Sequence, residues 1–125
     1  EKPSIFVRKE LKDHGTKKRV EGGDVRGKTV LLIEDLVTTG GSSLSGVEAL
    51  RQAGARVDDC FVIIQYGFKE SEEAFKSAHV RLHSLTTFPI ILEEAFALKK
   101  FTIDERLVIE DWFVNPRGWA TRNHL

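Results

Sequence analysis

The densest chemistry in the chain lies between Val30 and Ser42, in the run Val30-Leu31-Leu32-Ile33-Glu34-Asp35-Leu36-Val37-Thr38-Thr39-Gly40-Gly41-Ser42. Two adjacent carboxylates follow an apolar stretch, and a loop rich in hydroxyls and Gly follows them. Ligands of open parallel sheets bind at the carboxyl ends of the strands. A helix start beyond the loop offers free N–H groups and a positive dipole, which suit a phosphate. Gly residues let the backbone come close, and Thr38, Thr39 and Ser42 add hydroxyl donors. The carboxylates of Glu34 and Asp35 can accept hydrogen bonds from ribose hydroxyls, or help to hold a divalent cation. A phosphorylated sugar is the ligand this pattern predicts. The bland alternative is an acidic pair that ends a strand and a loop that caps a helix. A nucleotide P-loop is excluded, because no Gly-x-x-x-x-Gly-Lys-Ser/Thr occurs.

A second cluster is Arg8-Lys9-Glu10-Leu11-Lys12-Asp13-His14-Gly15. Three cations and a His, closely spaced and ended by a Gly, can wrap a polyanion. Taken alone, such a charge run is usually a solvated face.

The first run resembles the phosphoribosyl pyrophosphate motif of type I phosphoribosyltransferases. The resemblance implies that Glu34 and Asp35 contact the ribose hydroxyls, and that Thr38, Thr39, Gly40, Gly41 and Ser42 cradle the 5′-phosphate. The second run is similar to the mobile catalytic loop of orotate phosphoribosyltransferases. Their Arg-Lys-x-x-Lys-x-His-Gly signature matches at Arg8, Lys9, Lys12, His14 and Gly15. It implies that Arg8, Lys9, Lys12 and His14 bind pyrophosphate, with Lys12, His14 and Asp35 carrying catalysis. Weaker similarity to one bacterial branch extends through Gln65-Tyr66-Gly67-Phe68, Val80 to Leu85, and Phe113 to Trp119.

The reaction implied is transfer of the 5-phosphoribosyl group from phosphoribosyl pyrophosphate to orotate, in UMP biosynthesis. Magnesium (Mg2+) would be held mainly by the substrate, with no direct protein ligand. In the family the catalytic loop reaches a neighbouring subunit's site, which implies a homodimer. Two departures are visible. Complete members carry a further portion before the catalytic loop; here it is absent, or supplied by a separate chain. Many members place an orotate-binding Arg after the strand that here ends near Tyr66, whereas this chain has Gly67, Phe68 and Lys69. Two alternatives stay open: a phosphoribosyltransferase for another base, and a non-catalytic ligand-sensing domain of the same fold.

The elements that must position these residues are legible in outline. The first 27 residues are polar and basic, and predict a short strand at Ile5-Phe6-Val7 followed by a mobile loop, the catalytic loop of about 8–24. Lys28 to Ile33 is an apolar run of strand length, expected to be buried on both faces and ended by Glu34-Asp35. Leu44, Val47 and Leu50 recur at helical spacing, with Gly54 as the stop and Ser45 with Glu48 as a possible capping box. Val57 to Tyr66 predicts a second buried strand, parallel to the first. Glu70 to Ala78 predicts a polar helix, and Val80 to Leu85 an outer strand. A helix from Pro89 to about Lys99 and a last helix over Ile103–Phe113 follow, and Asn115 to Trp119 reads as a turn. The fold class is α/β: a type I phosphoribosyltransferase-like parallel sheet flanked by helices, one domain over 1–125, lacking the usual N-terminal portion.

Composition agrees with that class. Lys and Arg number 19 and so do Asp and Glu, which argues against a general nucleic-acid binder. An anion site must therefore come from local clustering. No apolar stretch reaches membrane-spanning length and no signal peptide opens the chain, so no membrane association is expected. The single Cys60 lies in an apolar run and predicts a buried thiol in a cytosolic setting. The absence of any Met predicts a processed, trimmed or fragmentary chain.

Overall fold

The structure is a computed structural model that describes residues 2–8 and 19–124. The chain divides into two compact units, Glu1–Phe88 and Pro89–Leu125.

The first unit opens with a two-residue strand β1 (Phe6–Val7), paired antiparallel with β2 (Val20–Glu21). Two residues carry no periodicity, which is why the return strand was not foreseen in the sequence. Residues 9–18, and with them Lys9, Lys12, His14 and Gly15, lie outside the described residues. Three parallel strands then form the sheet: β3 (Thr29–Val37), β4 (Arg56–Gln65) and β5 (Arg81–Thr87), in the order β3-β4-β5. Helix α1 (Gly41–Gln52) joins β3 to β4, and helix α2 (Lys69–Ser77) joins β4 to β5. These are the crossover connections that parallel pairing requires.

Both helices share one core cluster with one face of the sheet. Val47 and Leu50 of α1 and Phe75 of α2 belong to it with Leu32, Cys60 and Val62 of the strands. Replacing a fully buried side chain such as Leu50 by Ala costs about 2–5 kcal/mol. Thr29 faces Arg56 but Leu31 faces Asp59, so β4 carries an extra residue there. That bulge resets the alternation, and Val57 and Cys60 are both buried.

Two expectations for β3 are corrected. Glu34 and Asp35 do not end the strand; Glu34 pairs with Val62 and the ladder runs on to Val37 opposite Gln65. Nor is the strand buried on both faces. Leu31 and Ile33, with Ile63 of β4 and Leu85 of β5, are exposed. The two helices of this unit cover one face only, so alternate residues of the strands gain no cover from them.

Helix α1 ends as the sequence predicts. Gly54, at φ +90°, donates to the Arg51 carbonyl, and Ala55 donates to the Leu50 carbonyl. This is the Schellman pattern, with Gly in the left-handed position. Its start differs from expectation. The N-cap is Gly40, and Ser45 lies inside the helix, so the Ser45–Glu48 capping box does not form. Across the strands, Asp59 accepts two hydrogen bonds from Arg81 and one contact from His83, and these partners pull its carboxyl down to about 2.

In the second unit, α3 (Phe88–Ala97, beginning one residue earlier), α4 (Ile103–Val114) and α5 (Pro116–Arg122) follow in order. The segment read as a turn after Phe113 contains α5, because Asn115 caps it by accepting from the Gly118 N–H. Arg106 ties this unit together, donating to Glu93 and Glu110 and stacking over the Phe96 ring at 4.5 Å.

Two predictions follow from the packing. Gly40 sits at φ +87°, and a Cβ there would lie 2.8 Å from the Phe75 ring. Gly40→Ala should cost about 2–4 kcal/mol, from left-handed strain plus overpacking. Gly41 has nothing within 4 Å of its Cβ position, so Gly41→Ala should be neutral or slightly stabilising. Urea unfolding of the two variants measures this; equal midpoints would contradict it. Cys60 is fully buried, and burial, aided by the Glu34 charge, pushes its thiol up to about 11. A thiol-disulfide reagent at pH 8 should leave the native chain unmodified and titrate one thiol in denaturant. Rapid reaction of the folded chain would show that the core is open.

Candidate functional site

The carboxyl end of β3, the turn after it and the first turn of α1 form one continuous surface. Val37 is buried and anchors the strand end, and its carbonyl accepts the Tyr66 N–H at 3.0 Å. Thr38 and Thr39 turn the chain, and Gly40 enters the helix in the left-handed conformation. The Leu44 N–H closes the first helical turn onto the Gly40 carbonyl at 2.9 Å. Gly40 is buried against Phe75 and Ser71, whereas Gly41 and Ser42 are exposed.

The electrostatics of this helix start are distinctive. No side chain caps α1 and no acidic residue lies in its first turn. Its leading N–H groups therefore keep their hydrogen-bonding capacity, and the positive end of the dipole is not offset by a local carboxylate. Contrast α4, where the Thr102 side chain accepts from the Glu105 N–H and Glu105 reaches back to the Thr102 N–H. That start is self-satisfied; the start of α1 is open to an external anion.

Glu34 and Asp35 sit just before this turn, on opposite faces of β3 by strand alternation. Glu34 is half-buried on the side of the core; Asp35 is exposed. The structure thus brings Glu34, Asp35, Thr38, Thr39, Gly40, Gly41 and Ser42 together in one strand–turn–helix. Arg8 is placed separately. Its Nε and Nη2 donate to the two carboxylate oxygens of Glu21 at 2.6 and 2.7 Å.

Sequence reasoning gave little weight to the aromatic residues at the same sheet edge. Tyr66, just past β4, packs on Phe68 with ring centres 5.6 Å apart and on Phe88 at 4.9 Å. The spacing of Tyr66 and Phe68 around a Gly was the only available signal. Among the described residues no cluster of His, Cys, Asp or Glu has the makings of a metal cage. No helix among them is long and apolar enough to cross a membrane. Grooves among the described residues lie elsewhere. One of about 770 Å³ is lined by Arg19, Asp24, Arg26 and Gln52, and one of about 430 Å³ by Arg56, Asp58, Lys76, His79 and Arg81. Neither contains the acidic pair or the turn.

Comparison with known proteins gives the same family. The family model described as phosphoribosyl transferase domain matches residues 1–92. An orotate phosphoribosyltransferase of Cytophaga hutchinsonii is 38% identical over 117 residues, 94% of this chain and 56% of that protein. The crystal structure of orotate phosphoribosyltransferase from Aeropyrum pernix superposes with a TM-score of 0.66 at 36% identity, over 74% of this chain and 51% of that one. The Mycobacterium tuberculosis orotate phosphoribosyltransferase in complex with 5-phospho-α-D-ribosyl 1-diphosphate gives a TM-score of 0.59 at 28% identity, over 70% and 48% respectively. The chain spans about half the length of the curated relatives it matches. With the sheet, the turn and α1 all inside the matched stretch, the chain belongs to the phosphoribosyl transferase domain family.

Proposed function

We propose that this chain carries the phosphoribosyl pyrophosphate-binding part of an orotate phosphoribosyltransferase, within a single domain over 1–125. The enzyme transfers the 5-phosphoribosyl group to N1 of orotate, with release of pyrophosphate, on the route to UMP. The observation that carries this reading is the uncapped, acid-free start of α1, one turn of chain beyond β3, which carries two carboxylates near its end. The names of the curated relatives, and a solved relative holding the phosphoribosyl donor, support the same assignment.

In this reading the first-turn N–H groups and hydroxyls of Thr38 to Ser42 bind the 5′-phosphate. Glu34 and Asp35 accept hydrogen bonds from the ribose hydroxyls. Breaking the anomeric C–O bond leaves positive charge on the ribose and adds negative charge to the departing pyrophosphate. Arg8, Lys9, Lys12 and His14 offset the latter, since fixed cations aimed at developing charge are among the strongest catalytic devices. Arg8 must exchange or share its Glu21 partner to take part. Magnesium enters as part of the pyrophosphate substrate: two neighbouring carboxylates on opposite strand faces are too few for a cage built by the protein. A cytoplasmic homodimer with the loop of 8–24 shared across its interface, and an N-terminal portion supplied in cis or by a separate chain, complete the proposal.

The reading is tested on the complete enzyme or reconstituted assembly, by following orotate with phosphoribosyl pyrophosphate. Orotidine 5′-monophosphate and pyrophosphate should form in equal amounts. Asp35→Asn should lower kcat/KM about 10- to 100-fold, the loss of a hydrogen bond to a charged group. Lys17→Ala and Lys18→Ala, outside the signature, should cost less; equal losses would show that the acidic pair is misassigned. Lys12→Ala and His14→Ala should lower turnover about a hundredfold, with donor affinity only modestly weaker. Turnover within about twofold in both would mean that the signature stretch is a solvated surface. Tight donor binding with no product in the unsubstituted assembly would favour a ligand-sensing domain.

A further inference from the structure

Three aromatic side chains stand at the carboxyl edge of the sheet and outside the hydrophobic core. Tyr66 directly follows β4, Phe68 is the residue before α2, and Phe88 directly follows β5. The Tyr66 ring centre lies 4.9 Å from that of Phe88 and 5.6 Å from that of Phe68, within the range in which aromatic pairs attract. All three are half-buried, and none belongs to the cluster of Val47, Leu50, Phe75 and strand residues that fills the unit. Two links hold the rings beside the turn of Thr38 to Ser42. The Tyr66 N–H donates to the Val37 carbonyl at 3.0 Å, so Tyr66 stands where β3 ends. The Phe68 carbonyl accepts both the hydroxyl and the N–H of Ser71 at 2.9 Å, and the Ser71 Cβ lies 3.8 Å from the Cβ position of Gly40. Gly67, between Tyr66 and Phe68, is exposed with nothing within 4 Å of its Cβ position, so open space adjoins the rings.

We propose that Tyr66, Phe68 and Phe88 form the stacking surface for the planar ring of the acceptor base. The inference rests on the phosphoribosyl reading and deepens it, by assigning the base to residues of this chain. Ligands of parallel sheets lie across the carboxyl ends of the strands. β3 and β4 are neighbours, and adjacent strands are about 4.8 Å apart, a separation that one sugar ring bridges. A 5′-phosphate on the turn after β3 therefore brings the ring at C1′ to the end of β4, where Tyr66 stands. Aromatic side chains are the usual lining for a flat apolar ligand, and stacking reads the face of a ring rather than its substituents. The surface thus adds affinity for a pyrimidine nucleotide and none for the phosphorylated sugar alone.

The experiment is equilibrium binding to the complete enzyme, with orotidine 5′-monophosphate and ribose 5-phosphate as the two probes. Tyr66→Leu should weaken the nucleotide about tenfold and leave ribose 5-phosphate within about twofold. Tyr66→Phe keeps the ring and should bind both probes as the unsubstituted enzyme does. Nucleotide affinity within about twofold in Tyr66→Leu overturns the proposal. So does an equal loss for both probes, which damage to the turn would give. A Tyr66→Phe variant as weak as Tyr66→Leu would place the effect in the hydroxyl and overturn it too. If Tyr66→Leu does not fold, fluorine NMR of the fluorotyrosine-labelled enzyme takes its place, with the Tyr66 line assigned by its loss in Tyr66→Phe. That line should shift with the nucleotide and stay in place with ribose 5-phosphate; a line unmoved by the nucleotide, or moved equally by both, overturns the proposal. An unsubstituted enzyme that binds both probes equally keeps the phosphoribosyl reading and overturns the stacking surface. One that binds neither removes that reading itself, and the inference with it.

Discussion

The contact between Gly40 and Phe75 is the constraint on which the site depends. The chain must turn from a strand end into a helix over a core already filled by the Phe75 ring, and there is no space for a Cβ at the turning point. Only Gly meets both demands, a left-handed φ and close approach to the ring. Because the N-cap is Gly, no side-chain oxygen satisfies the helix start. The packing requirement and the uncapped helix start therefore share one cause. The same residue that lets α1 sit down on α2 leaves its leading N–H groups for a ligand.

The rest of the unit holds that turn in place. The parallel ladder between β3 and β4 continues through Glu34 to Val37, so the carboxylates are carried on a hydrogen-bonded strand rather than on a free loop. Central β4 brings Cys60 and Val62 into the core and delivers Tyr66 to the Val37 carbonyl. On the other side of α1, the β1–β2 ribbon is tied to the helix by Arg19. A rigid helix thus receives the strand end at its start and the ribbon one turn later. Sites on such elements are held more accurately than sites on loops.

Much of this was legible in the sequence. Leu44, Val47 and Leu50 give the buried stripe of α1, and Gly54 gives its end, because helical period and left-handed stops are local signals. The motif from Val30 to Ser42 was legible for the same reason: the chemistry of strand end, turn and helix start is contiguous. What was misread depends on tertiary context. Glu34 and Asp35 look like strand breakers, yet pairing with Val62 and Ile64 carries the strand past them. Leu31 and Ile33 read as buried on both sides because the apolar run does not say which faces will be covered. Ser45 and Glu48 match a capping box, but the Gly40–Phe75 fit sets the helix start earlier, and Ser45 becomes the acceptor for Arg19 instead. Asn115 and Pro116 look like a turn and instead start α5, which a capping side chain three residues before Gly118 makes possible.

The central claim is that the start of α1 is a phosphate cradle, and ribose 5-phosphate tests it without needing turnover. Titrating it into the isotope-labelled chain while following backbone amide shifts reports each N–H separately. The largest saturable shifts should fall on Gly40, Gly41, Ser42 and Ser43, with smaller ones at Glu34 and Asp35. Amides of the cationic groove around Arg56 and Arg81 should stay in place. Shifts confined to that groove, or none at the start of α1 at saturating ligand, would contradict the account.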